Sequence, residues 1–109
     1  MKNDYEELDQ LHTTECGIAR DLMRMKNGDY AGHKDIFANL NAVESLSGCS
    51  LSCEQGILVR MQDKLSRLWQ VLDGQAQVRD ERIVDTCRDI INYSVLIMAR
   101  QRSREEDKD

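Results

Sequence analysis

Residues 78–102, V-R-D-E-R-I-V-D-T-C-R-D-I-I-N-Y-S-V-L-I-M-A-R-Q-R, contain neither Gly nor Pro. A helix over this stretch is about 37 Å long, and its wheel has two faces rather than one. Ile83, Val84, Cys87, Ile90, Ile91, Ser94 and Met98 form a broad, mostly apolar stripe. Nearly opposite run Glu81, Asp85 and Asn92, with Asp89 at the edge, and that line continues as Leu96 and Ala99. A solvated face has little reason to turn from acidic to apolar halfway along. The second face therefore reads as packed too, with its carboxylates at the mouth of a site. The plainer alternative is an exposed acidic face beside an oligomer contact.

The remaining elements are also helical in period. Over 5–25, Leu8, Leu11, Glu15, Ile18, Ala19, Leu22 and Met25 share a face, so Glu15 sits inside an apolar stripe. An inward carboxylate must be paired, protonated or bound to a cation; a neighbouring Arg would suffice. Gly17 weakens this helix or permits close backbone packing. Lys26-Asn27-Gly28, with Gly32 beyond, predicts a turn, Gly28 suiting the left-handed position after a helix. A short helix is expected over about 34–46, carrying Ile36, Phe37, Leu40 and Val43. The next begins at Ser52, with Gln55 in capping-box spacing. Its stripe is Ile57, Met61, Leu65, Leu68 and Leu72, joined by Leu58 and Trp69, and Asp73-Gly74 ends it. Residues 100–109 are charged and expected to fray.

The reading is one all-α domain over 1–109, a four-helix arrangement of three long members and one short. A single Phe, a single Trp and no Pro suit such a bundle better than a sheet. Apolar stripes on the outer helices point to a homo-oligomer. A net charge of −5 disfavours a duplex nucleic-acid partner. No apolar run reaches the length of a membrane span and the N-terminus lacks the apolar core of a signal peptide, so the expected compartment is the cytoplasm, with the four cysteines as thiols.

Two groups of residues could carry chemistry. Arg60, Asp63, Lys64 and Arg67 border the apolar face of the helix after Ser52. They read either as a salt-bridged surface, Asp63 and Arg67 being i,i+4, or as cations for phosphate oxygens. Glu81, Asp85 and Asp89 repeat at i,i+4,i+8 and repel one another, a repulsion that a bound cation would offset. Carboxylates around a divalent ion beside cations commonly make a phosphoryl site, and Mg²⁺ needs only one or two of them. Asp29 and Tyr30 are ordinary turn residues, or Tyr30 stacks on a base. No glycine-rich phosphate loop and no Ser-His-Asp or Cys-His set is present.

K-N-G-D-Y-A (26–31), D-I-F-A-N-L (35–40), V-R-M-Q-D-K-L-S-R-L (59–68) and D-E-R-I-V-D-T-C-R-D-I-I-N-Y (80–93) occur in that order. The combination, over roughly residues 15–98, resembles the phage-associated family called nucleotide modification associated domain one. That family is distantly similar to the MazG-type all-α nucleoside triphosphate pyrophosphohydrolases, oligomers whose acids hold Mg²⁺ for attack of water on the α–β phosphate linkage. The resemblance implies a MazG-like bundle in which Glu15 matches the first acid of the first-helix E-x-x-E motif and Asp89 the acid closing the later E-x-x-D. This chain departs from the pattern at Ile18 and Thr86, where acids are expected, with Asp85 one residue from the latter.

The expected function is thus that of a phage-type nucleotide-binding protein, in its enzymatic form a Mg²⁺-dependent triphosphate pyrophosphohydrolase. Glu15, Asp85 and Asp89 would serve catalysis and metal, with Glu81 near the entrance. Asn92 would orient ligand or water, Lys64 with Arg60 or Arg67 would neutralise phosphate, and Tyr30 would cover the base. The alternatives are a non-catalytic protein that sequesters a host signalling nucleotide, which suits the depleted acids, and a structural interaction module.

Overall fold

The structure, a computed structural model, describes residues 4–30, 50–74 and 80–108, apart from the side chains of 27–30, 80–82 and 108. Three helices make up the regular structure of these residues: α1 (Tyr5–Tyr30), α2 (Cys53–Leu72) and α3 (Asp80–Lys108). The short helix expected over 34–46 lies outside the described residues.

The helices α1 and α2 start where polar side chains satisfy free backbone amides. Asp4 Oδ1 accepts the Glu7 N–H at 2.8 Å, and Glu6 and Glu7 place negative charge on the positive end of the helix dipole. α1 does not stop at Met25 as expected; it runs through Asn27-Gly28 to Tyr30. Extending a formed helix needs no new nucleus, and each residue adds a backbone bond that offsets the roughly 1 kcal/mol cost of glycine. At α2 the expected capping box is present: Gln55 N–H donates to Ser52 Oγ at 3.1 Å and Ser52 N–H to Gln55 Oε1 at 2.8 Å. α2 stops at Asp73-Gly74, as its turn chemistry predicts. The Asp73 N–H reaches Trp69 O at 2.9 Å, and Gly74 takes φ +76°, which a side chain would resist.

α2 and α3 pack antiparallel, since Glu54 pairs with Gln101 and Arg104 while Lys64, further along α2, pairs with Asp89, earlier on α3. Cys53 and Ile57 are fully buried between them, with Met61, Tyr93, Leu96, Ile97 and Ala99 packed around. α1 instead crosses α3. Its contacts from Glu15 to Lys26 land on the short stretch from Arg88 to Asn92. Ala19, fully buried, lets the backbones approach until Asn92 Nδ2 donates to the Ala19 carbonyl at 3.0 Å. Gly17 plays no such part, because a Cβ there would meet nothing within 4 Å.

Helix α3 is therefore packed on the face where acids give way to Leu96 and Ala99, as the wheel suggests. The apolar stripes fare differently. Ile83, Val84, Ile90, Ile91 and Ser94 are half-buried, Cys87 and Met98 exposed. On α1, Leu8, Leu11 and Met25 are exposed, the crossing covering only the middle of the stripe. On α2, Leu58, Leu65, Trp69 and Leu72 are exposed, against the expectation that they join the core. Residues 100–108 are helical rather than frayed, held by Glu54.

Candidate functional site

The crossing of α1 over α3, beside α2, gathers most of the residues singled out in the sequence. Glu15, half-buried, meets Arg88: Nε donates to Oε2 at 2.6 Å and Nη2 to Oε1 at 3.3 Å, a two-pronged, charge-assisted pair. Arg88 Nη1 also reaches Oδ1 of the exposed Asp85 at 3.4 Å. The hydrogen bonds from Arg88 hold the Glu15 carboxyl below its ordinary value, outweighing a partial burial that pushes the other way, and Glu15 in turn raises Arg88.

Beside this chain of charges, two lysines from different helices converge on one carboxylate of the third. Lys64 Nζ lies 3.0 Å from Asp89 Oδ2 and Lys26 Nζ 3.7 Å from Oδ1. Lys64 is half-buried and Lys26 exposed, so the cluster opens to solvent on the α1 side. Asn92 completes the crossing by holding α1 through the Ala19 carbonyl.

Glu15, Asp85, Asp89, Lys64 and Asn92 thus lie in one region, drawn from all three helices. Arg60 and Arg67 do not join them; both are exposed, and no ion pair links Arg67 to Asp63 among the described residues. The side chains of Glu81 and Tyr30 fall outside the described residues. Among those described, no three His, Cys, Asp or Glu side chains stand together as a metal-ligand set. Glu15 and Asp85 are shared by Arg88, and Asp89 by two lysines, so each of these carboxylates faces cations of the protein that a Mg²⁺ ion would have to displace.

Sequence reasoning passed over two participants of the crossing and one contact outside it. Arg88 lay in the quoted D-T-C-R-D run, and its i,i+3 spacing from Asp85 was the available signal. Lys26 was assigned to a turn that is in fact helix. The third is Arg104, whose Nε and Nη2 donate to Glu54 at 2.8–3.1 Å while Gln101 donates to the same carboxylate, well away from the crossing. Those bonds, Arg104 first, hold the Glu54 carboxyl below its usual range against burial.

Elsewhere, the thiols of Cys16 and Cys87 are in no disulfide, and Cys16 Sγ sits 3.9 Å from the His12 ring nitrogens within α1. No described helix is long and apolar enough to cross a membrane. Among the described residues, fold and site together define an all-helical arrangement with an ion-paired helix crossing. No protein-family model, no curated protein and no solved structure matches the chain.

Proposed function

We propose that this chain binds the phosphate of a nucleotide or nucleotide-like ligand at the α1–α3 crossing and works as a homo-oligomer. The observation that carries the reading is the pair of lysines, Lys26 and Lys64, brought from separate helices onto the single carboxylate of Asp89. Two ammonium groups on one carboxylate leave donors to spare, since each carries three N–H bonds and no acceptor. A phosphate entering from the exposed Lys26 side would take charge-assisted hydrogen bonds from both lysines. Asp89 acts in the free protein as the counter-charge that keeps the two cations close. Arg88, engaged by Glu15 and Asp85, fixes the crossing angle and with it the spacing of the lysines.

The resemblance to the nucleotide modification associated domain one family and, through it, to MazG-type enzymes supplies the nucleotide and the phage-type origin of this reading. The depleted acids and their engagement with Arg88, Lys26 and Lys64 favour binding without turnover, as in a protein that sequesters a signalling nucleotide. Hydrolysis with Mg²⁺ is the second reading, favoured by the fact that Glu15, Asp85 and Asp89 do meet at one crossing.

Calorimetric titration with nucleoside triphosphates and with cyclic and linear dinucleotides, with and without Mg²⁺, tests both. The binding reading expects Mg²⁺-independent affinity for at least one of them. Lys64→Ala should weaken it by about tenfold or more, from the loss of a hydrogen bond between charged groups. Asp89→Asn should leave binding intact or tighten it, because the competing carboxylate is gone. Pyrophosphate release that needs Mg²⁺ and is lost in Asp89→Asn would establish the hydrolytic reading instead. Absence of binding by every ligand would reduce the network to a device that sets helix packing.

A further inference from the structure

On α2, Leu58, Leu65, Trp69 and Leu72 line up at i, i+7, i+11 and i+14, one continuous stripe about 21 Å long. They are 50%, 48%, 76% and 70% exposed, respectively. This stripe lies beside the Ile57–Met61 face that packs on α3, so α2 is apolar on two adjacent sides and only one is used. Its flanks are Gln62, Ser66 and Gln70. The charges of this helix between Gln55 and Leu72 lie elsewhere, with Lys64 on the α3 side and Arg60, Asp63 and Arg67 opposite the stripe. Depletion of charge around a large aromatic is what sets the centre of a protein interface apart from ordinary surface.

We infer that the Leu58–Leu65–Trp69–Leu72 stripe of α2 is the contact through which a second copy of this chain docks, α2 against α2 about a two-fold axis. A neutral face can meet its own image without opposing like charges, which an isologous contact demands. The other open apolar face, around Leu8 and Leu11 of α1, is ill suited to meet itself because Asp4, Glu6, Glu7 and Asp9 surround it. The inference deepens the homo-oligomer part of the proposed function, and it stands whether or not a phosphate ligand binds.

Trp69 is the sole Trp of the chain, so its fluorescence reports on this face directly. The experiment is sedimentation velocity and tryptophan emission, with acrylamide quenching, across a dilution series of the full chain. The expected result is a dimer mass at high concentration with blue-shifted, protected emission, and a red shift with freer quenching as the mass halves. Leu65→Glu should raise the dissociation constant by about 30-fold or more while helical circular dichroism is kept, and Gln101→Ala, far along α3, should leave it unchanged. Three results would overturn the inference. They are a monomer with quenchable Trp69 at every concentration, a monomer with protected Trp69 (the chain's own residues 31–49 then cover the stripe), and an oligomer in which Trp69 stays quenchable. A nucleotide titration on the Leu65→Glu monomer separates this outcome from the ligand reading, which predicts binding there regardless.

Discussion

Removing Arg104 should cost this protein more stability than any other single change to its surface charges. Glu54 is the one charged side chain buried among the described residues, and only 11% of its side chain is exposed. Arg104 donates three hydrogen bonds to it, and Gln101 adds a fourth. Truncation by Arg104→Met keeps much of the apolar stem but leaves the carboxylate with Gln101 and its own backbone N–H. Breaking a buried ion pair by removing one partner costs about 3–5 kcal/mol. Here Arg104 is 35% exposed, so water enters in its place and the figure falls to about 2–3 kcal/mol. For a chain of this size that lowers the melting temperature by roughly 8–15 °C. Glu54→Gln should cost less, because the freed guanidinium can turn to solvent.

The contribution of this pair depends on pH. The folded Glu54 carboxyl lies below its ordinary 4.5, so the pair's contribution is complete above the unfolded value and is lost as pH falls through the lower, folded one. Arg104→Met removes the cause of that depression. The stability gap between wild type and variant should therefore be full at neutral pH and shrink as pH is lowered through and below 4.5. Urea unfolding followed by circular dichroism at pH 7, 5 and 3.5 measures it. A gap under 0.5 kcal/mol at neutral pH, or one that does not narrow in acid, would refute the assignment of the clamp as the anchor of the α3 tail.

Two further expectations concern α1. Gly17→Ala should raise stability by about 0.5–1 kcal/mol, since the position is helical and a Cβ there meets nothing; a fall in the thermal midpoint would mean that this side of α1 is covered in the assembled protein. In Arg88→Gln, the Glu15 carboxyl should titrate higher than in the wild type, by NMR of the side-chain carboxyl carbon, because the bonds that depress it are gone. By the same linkage the Glu15–Arg88 contribution in the wild type is whole above the unfolded value and disappears as pH falls through the folded one, so an unmoved Glu15 titration would refute the pairing.

The legible parts of this fold were those decided locally. Ser52 with Gln55, and Asp73 with Gly74, mark the two ends of α2 correctly because caps and positive-φ turns are settled within a few residues. The α1 terminus was misread for the converse reason. Asn-Gly is turn chemistry in isolation, yet at the end of a helix already formed it is carried along. Periodicity marked the apolar stripes of α1, α2 and α3 but could not rank them, because which stripe meets which is decided by crossing geometry that no window of sequence contains. For the same reason Leu58 and Trp69 were placed in a core that Tyr93, Leu96 and Ile97 in fact build with Ile57.

The inward carboxylate of Glu15 shows how far a residue-level reading reaches. Burial cost alone requires that it be protonated, paired or cation-bound, and all three remained open until the partner across the crossing was known. That partner, Arg88, is on the same acidic run that suggested a metal. A stretch of alternating acids and an Arg at i+3 can neutralise itself against a second helix, so acidic spacing on its own does not distinguish a metal site from an ion-paired crossing. What distinguishes them is the number of cations delivered. Counting Lys26, Lys64 and Arg88 against Glu15, Asp85 and Asp89, the crossing is balanced. A balanced crossing gives a divalent cation little electrostatic reason to enter, whereas an anion need only displace one carboxylate, Asp89, from two flexible ammonium groups. That asymmetry favours a phosphate over a metal at this junction.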